Sequence, residues 1–94
     1  MNELMKESKR YVTRTYEIGK EYGFRDFYVD IVEDRKAGVW DVYLYHAEYE
    51  KHHVFGVTTA AFPRIEQVQD MVLDGITDFA WHYIEEYAPE LSEN

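Results

Sequence analysis

The chain has 94 residues, no cysteine, sixteen aromatic side chains and a formal charge of −9. That length suits one domain, taken as 1–94, able to bury a core without metal or disulfide staples. The missing cysteine excludes disulfides, thiolate catalysis and Cys-based zinc sites, and the aromatic content excludes a disordered acidic tail. The charge disfavours direct nucleic-acid binding, which depends on neutralising phosphates with Lys and Arg. The stretch from Met1 to Glu7 has no apolar run for a signal peptide, and no segment reaches membrane-span length. A soluble, cytoplasmic chain is the expectation.

The first predicted element is a helix over 2–22. Asn2 is a suitable N-cap. Leu4, Ser8, Tyr11, Val12, Thr15, Ile18 and Tyr22 share a three-to-four spacing, Lys6, Arg10 and Arg14 lie opposite, and Gly23 supplies a left-handed stop. From Phe24 the period becomes two. Phe27, Val29 and Ile31 face one way and Tyr28, Asp30 and Val32 the other, which predicts a strand. The polar run Asp34–Gly38 predicts a hairpin loop. A second strand runs from Val39 to about Tyr49, with Trp40, Val42 and Leu44 facing the core. The chain turns near Glu50–His52, and a third strand covers His53–Thr59, where Gly56 marks a close approach or a bulge. Pro63 then opens a helix over about 64–87. Its core face is Ile65, Val68, Val72, Ile76, Phe79 and Tyr83, with Leu73, Ala80 and Tyr87 on the flank. Gly75 weakens or kinks this helix, Pro89 ends it, and the tail 89–94 is expected to fray. The predicted fold is α+β in the order α-β-β-β-α, a three-stranded antiparallel meander with two helices on one face.

The acidity is local. Through Arg64 there are ten basic and eleven acidic side chains; beyond it there are eight acids and no Lys or Arg. Glu66, Asp70, Asp74 and Asp78 recur at every fourth residue, a spacing that costs a helix a few tenths of a kcal/mol per like-charged pair. On the helical wheel they sweep an arc opposite the apolar face. Glu85 shares the arc, and Trp81 lies between Asp70 and Asp74, almost opposite Ile65 and Tyr83. A Trp ringed by carboxylates suits an interface anchor, and regular acids can imitate a phosphate backbone before a basic partner. The same arc would also serve as a solvated face, or pair with Lys6, Arg10 and Arg14.

Two further surfaces are candidates. Tyr28, Tyr43 and Tyr45, beside Val32, form an aromatic patch on the sheet face away from the helices, suited to self-association as a homodimer or to shielding by cross-strand pairs. His46, Glu48, Glu50 and His52 would share a strand face and offer a metal-ligand set if no turn intervened. His82 reads as a boundary residue between core and acid face. Enzyme chemistry finds no motif. Ser8 and Ser92 lack a nucleophile elbow, no phosphate loop occurs, and the carboxylates do not suggest a cleft with two unlike environments. No cofactor is expected.

The same helix–three-strand–helix order occurs in double-stranded-RNA-binding domains. Those carry a Lys-rich cluster where their last helix begins; here that position reads Pro63-Arg64-Ile65-Glu66-Gln67 and turns acidic. Order alone therefore carries no function. The expected function is a non-catalytic acidic binding protein: an inhibitor or DNA mimic, of the phage or mobile-element kind, directed at a basic nucleic-acid-handling partner. The alternatives are a homodimeric accessory protein joined through its tyrosines and a metal-binding protein.

Overall fold

A computed structural model describes residues 9–92. Four strands follow one another as an antiparallel meander: β1 (Tyr11–Ile18), β2 (Phe27–Asp34), β3 (Val39–His46) and β4 (His52–Thr58). One helix, α1 (Ile65–Tyr87), packs on one sheet face. Short 3-10 turns occupy Lys20–Tyr22 and Pro89–Ser92. The class is α+β as expected, but among the described residues there are four strands and one helix, not three strands and two helices.

The helix predicted over 2–22 is corrected by β1. Of the eight residues Tyr11–Ile18, six are β-branched or aromatic, types that lose side-chain freedom in a helix and fit a pleated surface. Their true period is two. Tyr16 and Ile18 stand opposite Val29 and Phe27 and pack against the core, while Thr13, Thr15 and Glu17 face the other way. The helical spacing had needed Ser8 and Thr15 as core members, and Thr15 is exposed on the strand. Gly23 does take a left-handed conformation (φ 83°), but it closes a single 3-10 turn. Residues 2–8 of the expected helix lie outside the described residues.

The rest of the sheet follows the alternation closely. Phe27, Val29, Ile31, Trp40, Val42 and Leu44 are buried against Val68, Val72, Ile76, Ala80, Tyr83 and Ile84 of α1. Gly38, at φ 70°, closes the β2–β3 loop, and the Asp34 side chain accepts the backbone N–H groups of Lys36 and Ala37. β3 ends at His46 rather than Tyr49, and the loop 47–51 leads into β4. The β4 bulge leaves Val54 without a partner between Val42↔Phe55 and Tyr43↔His53. Gly56 is the close approach instead: a Cβ there would lie 2.9 Å from Asp41 Oδ1. The Trp40 indole donates to the Phe62 carbonyl at 2.7 Å, which ties the segment feeding α1 to the sheet.

At the start of α1 the Gln67 side chain accepts the Arg64 N–H at 3.0 Å. The helix is continuous through Gly75 because the Phe79 ring, one turn on, lies over it and against Phe55. A Cβ at Gly75 would stand 2.7 Å from two ring carbons of Phe79. Gly75→Ala is therefore expected to lose more by displacing that ring than the roughly 1 kcal/mol of helix propensity it gains. A urea midpoint below that of the native chain, with the sign reversed in a Phe79→Leu background, would bear this out. Residues 89–92 form a short 3-10 turn. Pro89 cannot continue the helix, but the turn it begins returns Leu91 to the core, and Glu90 accepts the Tyr49 hydroxyl at 3.0 Å. Residues 93–94 lie outside the described residues.

Candidate functional site

α1 carries six acidic side chains and no Lys or Arg. Glu66, Asp70, Asp74, Asp78 and Glu85 are all exposed, on the side of the helix away from Val68, Val72, Ile76 and Tyr83. Among the described residues none of the five has a cation within ion-pair distance. The cations near carboxylates are engaged elsewhere: Arg10 with Asp34, Lys20 with Glu17, Arg35 with Glu33 and Lys51 with Asp30. Neutralisation by Arg10 and Arg14 from a neighbouring helix does not occur, because both precede or lie on the sheet. Lys6 lies outside the described residues.

Beyond Glu66, which sits favourably in the first turn at the positive end of the dipole, the acids oppose the helix's own electrostatics. Four residues rise about 6 Å along the axis, close enough for like charges to repel. Glu85 and Glu86 stand near the negative end of the helix dipole, and the last turn has no base to offset them. Helix stability does not account for this face.

Trp81 is 47% exposed and less isolated than the wheel implied. Its ring meets Phe24 edge-on, with centroids 5.5 Å apart. Phe24 sits in the loop between β1 and β2 and touches Phe27 in turn. Trp81 thus joins the acid face to that loop and is held in place by packing. A rigid, half-exposed indole beside carboxylates remains a suitable anchor.

On the opposite sheet face Tyr28, Tyr43 and Tyr45 are half-buried and engaged within the chain. Tyr28 stacks on Tyr45 at 5.7 Å, and Tyr43 meets His53 edge-on at 5.2 Å. The Tyr45 hydroxyl donates to Asp30 Oδ1 at 3.1 Å, and Lys51 lies over the Tyr45 ring. Asp30 organises this side. It is 3% exposed and also accepts Thr15 Oγ1 at 2.7 Å and the Lys51 ammonium. Burial works to raise its pKa, but the bonds from Lys51, Thr15 and Tyr45 outweigh it and hold the carboxylate below its ordinary value. The alternation alone placed Asp30 with Tyr28 and Val32 on the outward strand face and gave it no partner. A signal was present: Asp30 alternates with Tyr28, as Asp41 does with Tyr43, and a carboxylate set among such residues in a strand demands hydrogen-bond donors.

The His46–His52 residues do not form one face. His46 is buried between Phe27 and Tyr49, and its Nδ1 accepts the Glu48 N–H at 3.1 Å. Glu48 and Glu50 are exposed on the loop. His52 turns toward α1, with Nδ1 2.8 Å from the Tyr87 hydroxyl and its ring 6.0 Å from that of His82. Among the described residues no three His, Cys, Asp or Glu side chains are grouped to hold a metal ion. No helix among them is long and apolar enough to cross a membrane. The chain matches no protein-family model, no curated protein and no solved structure.

Proposed function

We propose that the protein is a non-catalytic binding module whose α1 acid face, Glu66, Asp70, Asp74, Asp78 and Glu85 with Trp81 as anchor, engages a basic partner. One observation carries the reading: the ladder is exposed, has no cation partner among the described residues, and works against the helix that bears it. An inhibitor of a nucleic-acid-handling protein, as a phage or mobile element would encode, is the narrower form of this proposal. Magnitude favours a basic patch over a full duplex replica. Duplex DNA carries one charge per about 1.7 Å, whereas the ladder offers one per about 6 Å of axis. Homodimerisation through Tyr28, Tyr43 and Tyr45 is a weaker alternative, because those rings are already occupied within the chain.

The test uses the Asp70→Asn, Asp74→Asn, Asp78→Asn triple variant, which removes three charges and almost no volume. Native protein should retain a basic partner at low salt and release it as salt rises. The triple variant should lose at least tenfold in affinity for that same purified partner while keeping its circular dichroism. Equal affinity of the two proteins would overturn the proposal.

A further inference from the structure

The two edges of the sheet are unlike. β4 is bulged at Val54, a device that spoils an edge for further pairing. β1 has eight residues in unbroken register with β2 and contains neither bulge nor proline. Among the described residues it pairs with β2 alone.

The direction of its free groups follows from one bond. Arg35 N–H donates to the Arg10 carbonyl at 2.8 Å, which extends the Tyr11↔Asp34 register by one residue and makes Arg10↔Arg35 a hydrogen-bonded pair. Antiparallel ladders alternate. The backbone groups of Val12, Arg14, Tyr16 and Ile18 therefore face β2, and those of Tyr11, Thr13, Thr15 and Glu17 face outward.

We propose that two copies of the chain pair antiparallel through β1, about a two-fold axis at Thr15, to make one continuous eight-stranded sheet. The register sets Thr15 against its own copy and Thr13 against Glu17 of the other protomer, giving about six inter-chain backbone bonds from the outward-facing groups. On the helix side it sets Arg14 beside the opposing Tyr16, a cation–π geometry, and Val12 beside the opposing Ile18. Neighbouring registers are worse. An axis at Arg14 would oppose two guanidinium groups. An axis at Tyr16 would pair Thr13 with Gly19, whose φ of 84° is not extended.

A second feature points to the same edge. An apolar groove runs between β1 and α1, lined by Tyr16, Ile18, Val29, Ile31, Val72 and Leu73. Leu73 is 59% exposed on its wall. A specific interface buries about 1,200–2,000 Å², more than a strand edge alone supplies. The two-fold register brings Val12 and Arg14 of the other protomer to the open side of this groove, where they extend its floor. The inference is independent of the acid face, which lies on other residues.

The native chain has no cysteine, so single-cysteine variants report the register directly. Native protein should sediment as a dimer at micromolar concentration. A hydrogen-bonded pair holds its Cβ atoms slightly beyond disulfide reach, so a short bifunctional thiol reagent is used: Thr15→Cys should cross-link to a covalent dimer, and Thr13→Cys, which faces Glu17 instead of itself, should not; Thr13→Cys combined with Glu17→Cys should. Thr13→Pro removes an outward-facing N–H and no bond to β2, so it should give a folded monomer. A native chain that sediments as a monomer would overturn the proposal. So would a dimer in which Thr15→Cys fails to cross-link, as expected if the tyrosine face or another strand made the contact.

Discussion

Replacing Tyr83 by Ala is expected to remove about 4 kcal/mol of folding stability, a large part of what a chain this size has. Tyr83 has no exposed surface and packs edge-on against Phe27 in the core. Its hydroxyl has a second task. It donates to the Glu50 carbonyl and accepts the His46 N–H at 3.3 Å, so one side chain of α1 holds both ends of the β3–β4 loop. Tyr83→Phe separates the two roles. The ring remains, but a buried N–H and a carbonyl lose their partner, at a cost of about 2 kcal/mol. Urea unfolding should show midpoints in the order native, Phe, Ala, with similar slopes for native and Phe. The His46 amide should exchange faster in the Phe variant. A Phe variant as stable as the native chain would mean that the hydroxyl does not pin the loop.

The second large effect is expected at Asp30, and it depends on pH. Asp30→Ala leaves the Tyr45 and Thr15 hydroxyls without their shared acceptor and is expected to cost about 2 kcal/mol at neutral pH. Lys51 contributes only a small part, because its side chain is about half exposed and returns to water. The sign of the pH dependence follows from the depressed carboxylate. The folded state holds the Asp30 proton less tightly than the unfolded chain, whose value is about 3.9. The stabilisation is therefore complete at neutral pH and is lost as pH falls below about 4, through the lowered folded value. Asp34, held down by the Arg10 guanidinium and then by the Ala37 N–H, works in the same direction. Asp30→Asn should thus be less stable than native protein at pH 7 and lose less between pH 5 and pH 2, with Asp34 preserving part of the acid limb. Parallel stability curves for the two proteins would contradict this assignment.

The fold was legible where one period dominated. Val29, Ile31, Val42 and Leu44 alternate without ambiguity, and the apolar stripe from Ile65 to Tyr83 survives the glycine inside it because Phe79 fills that space. It was misread where two periods overlapped. Tyr11–Ile18 satisfies a helical spacing only if Thr15 is counted as apolar, and its wealth of β-branched and aromatic residues was the better guide. The acid face was legible because charge on a helix surface needs no partner to be placed. The Asp30 network was not, because Lys51 reaches Asp30 from a loop twenty-one residues away, a distance no local pattern spans. Trp81 was placed on the correct side, but its contact with Phe24 depended on a loop whose course the misread helix had hidden.

If the acid ladder is kept for binding at a cost in stability, the two effects should appear together in one variant. Melting native protein and the Asp70, Asp74, Asp78 triple Asn variant at low salt tests it most directly, with affinity for the same basic partner measured alongside. Three like-charged i,i+4 contacts are relieved, worth about 1 kcal/mol together, so the variant should melt about 4 °C higher. That gap should close at high salt, while affinity at low salt falls at least tenfold. A variant that melts lower and binds as well as the native chain would contradict the claim and leave the ladder as a solvated face of the helix.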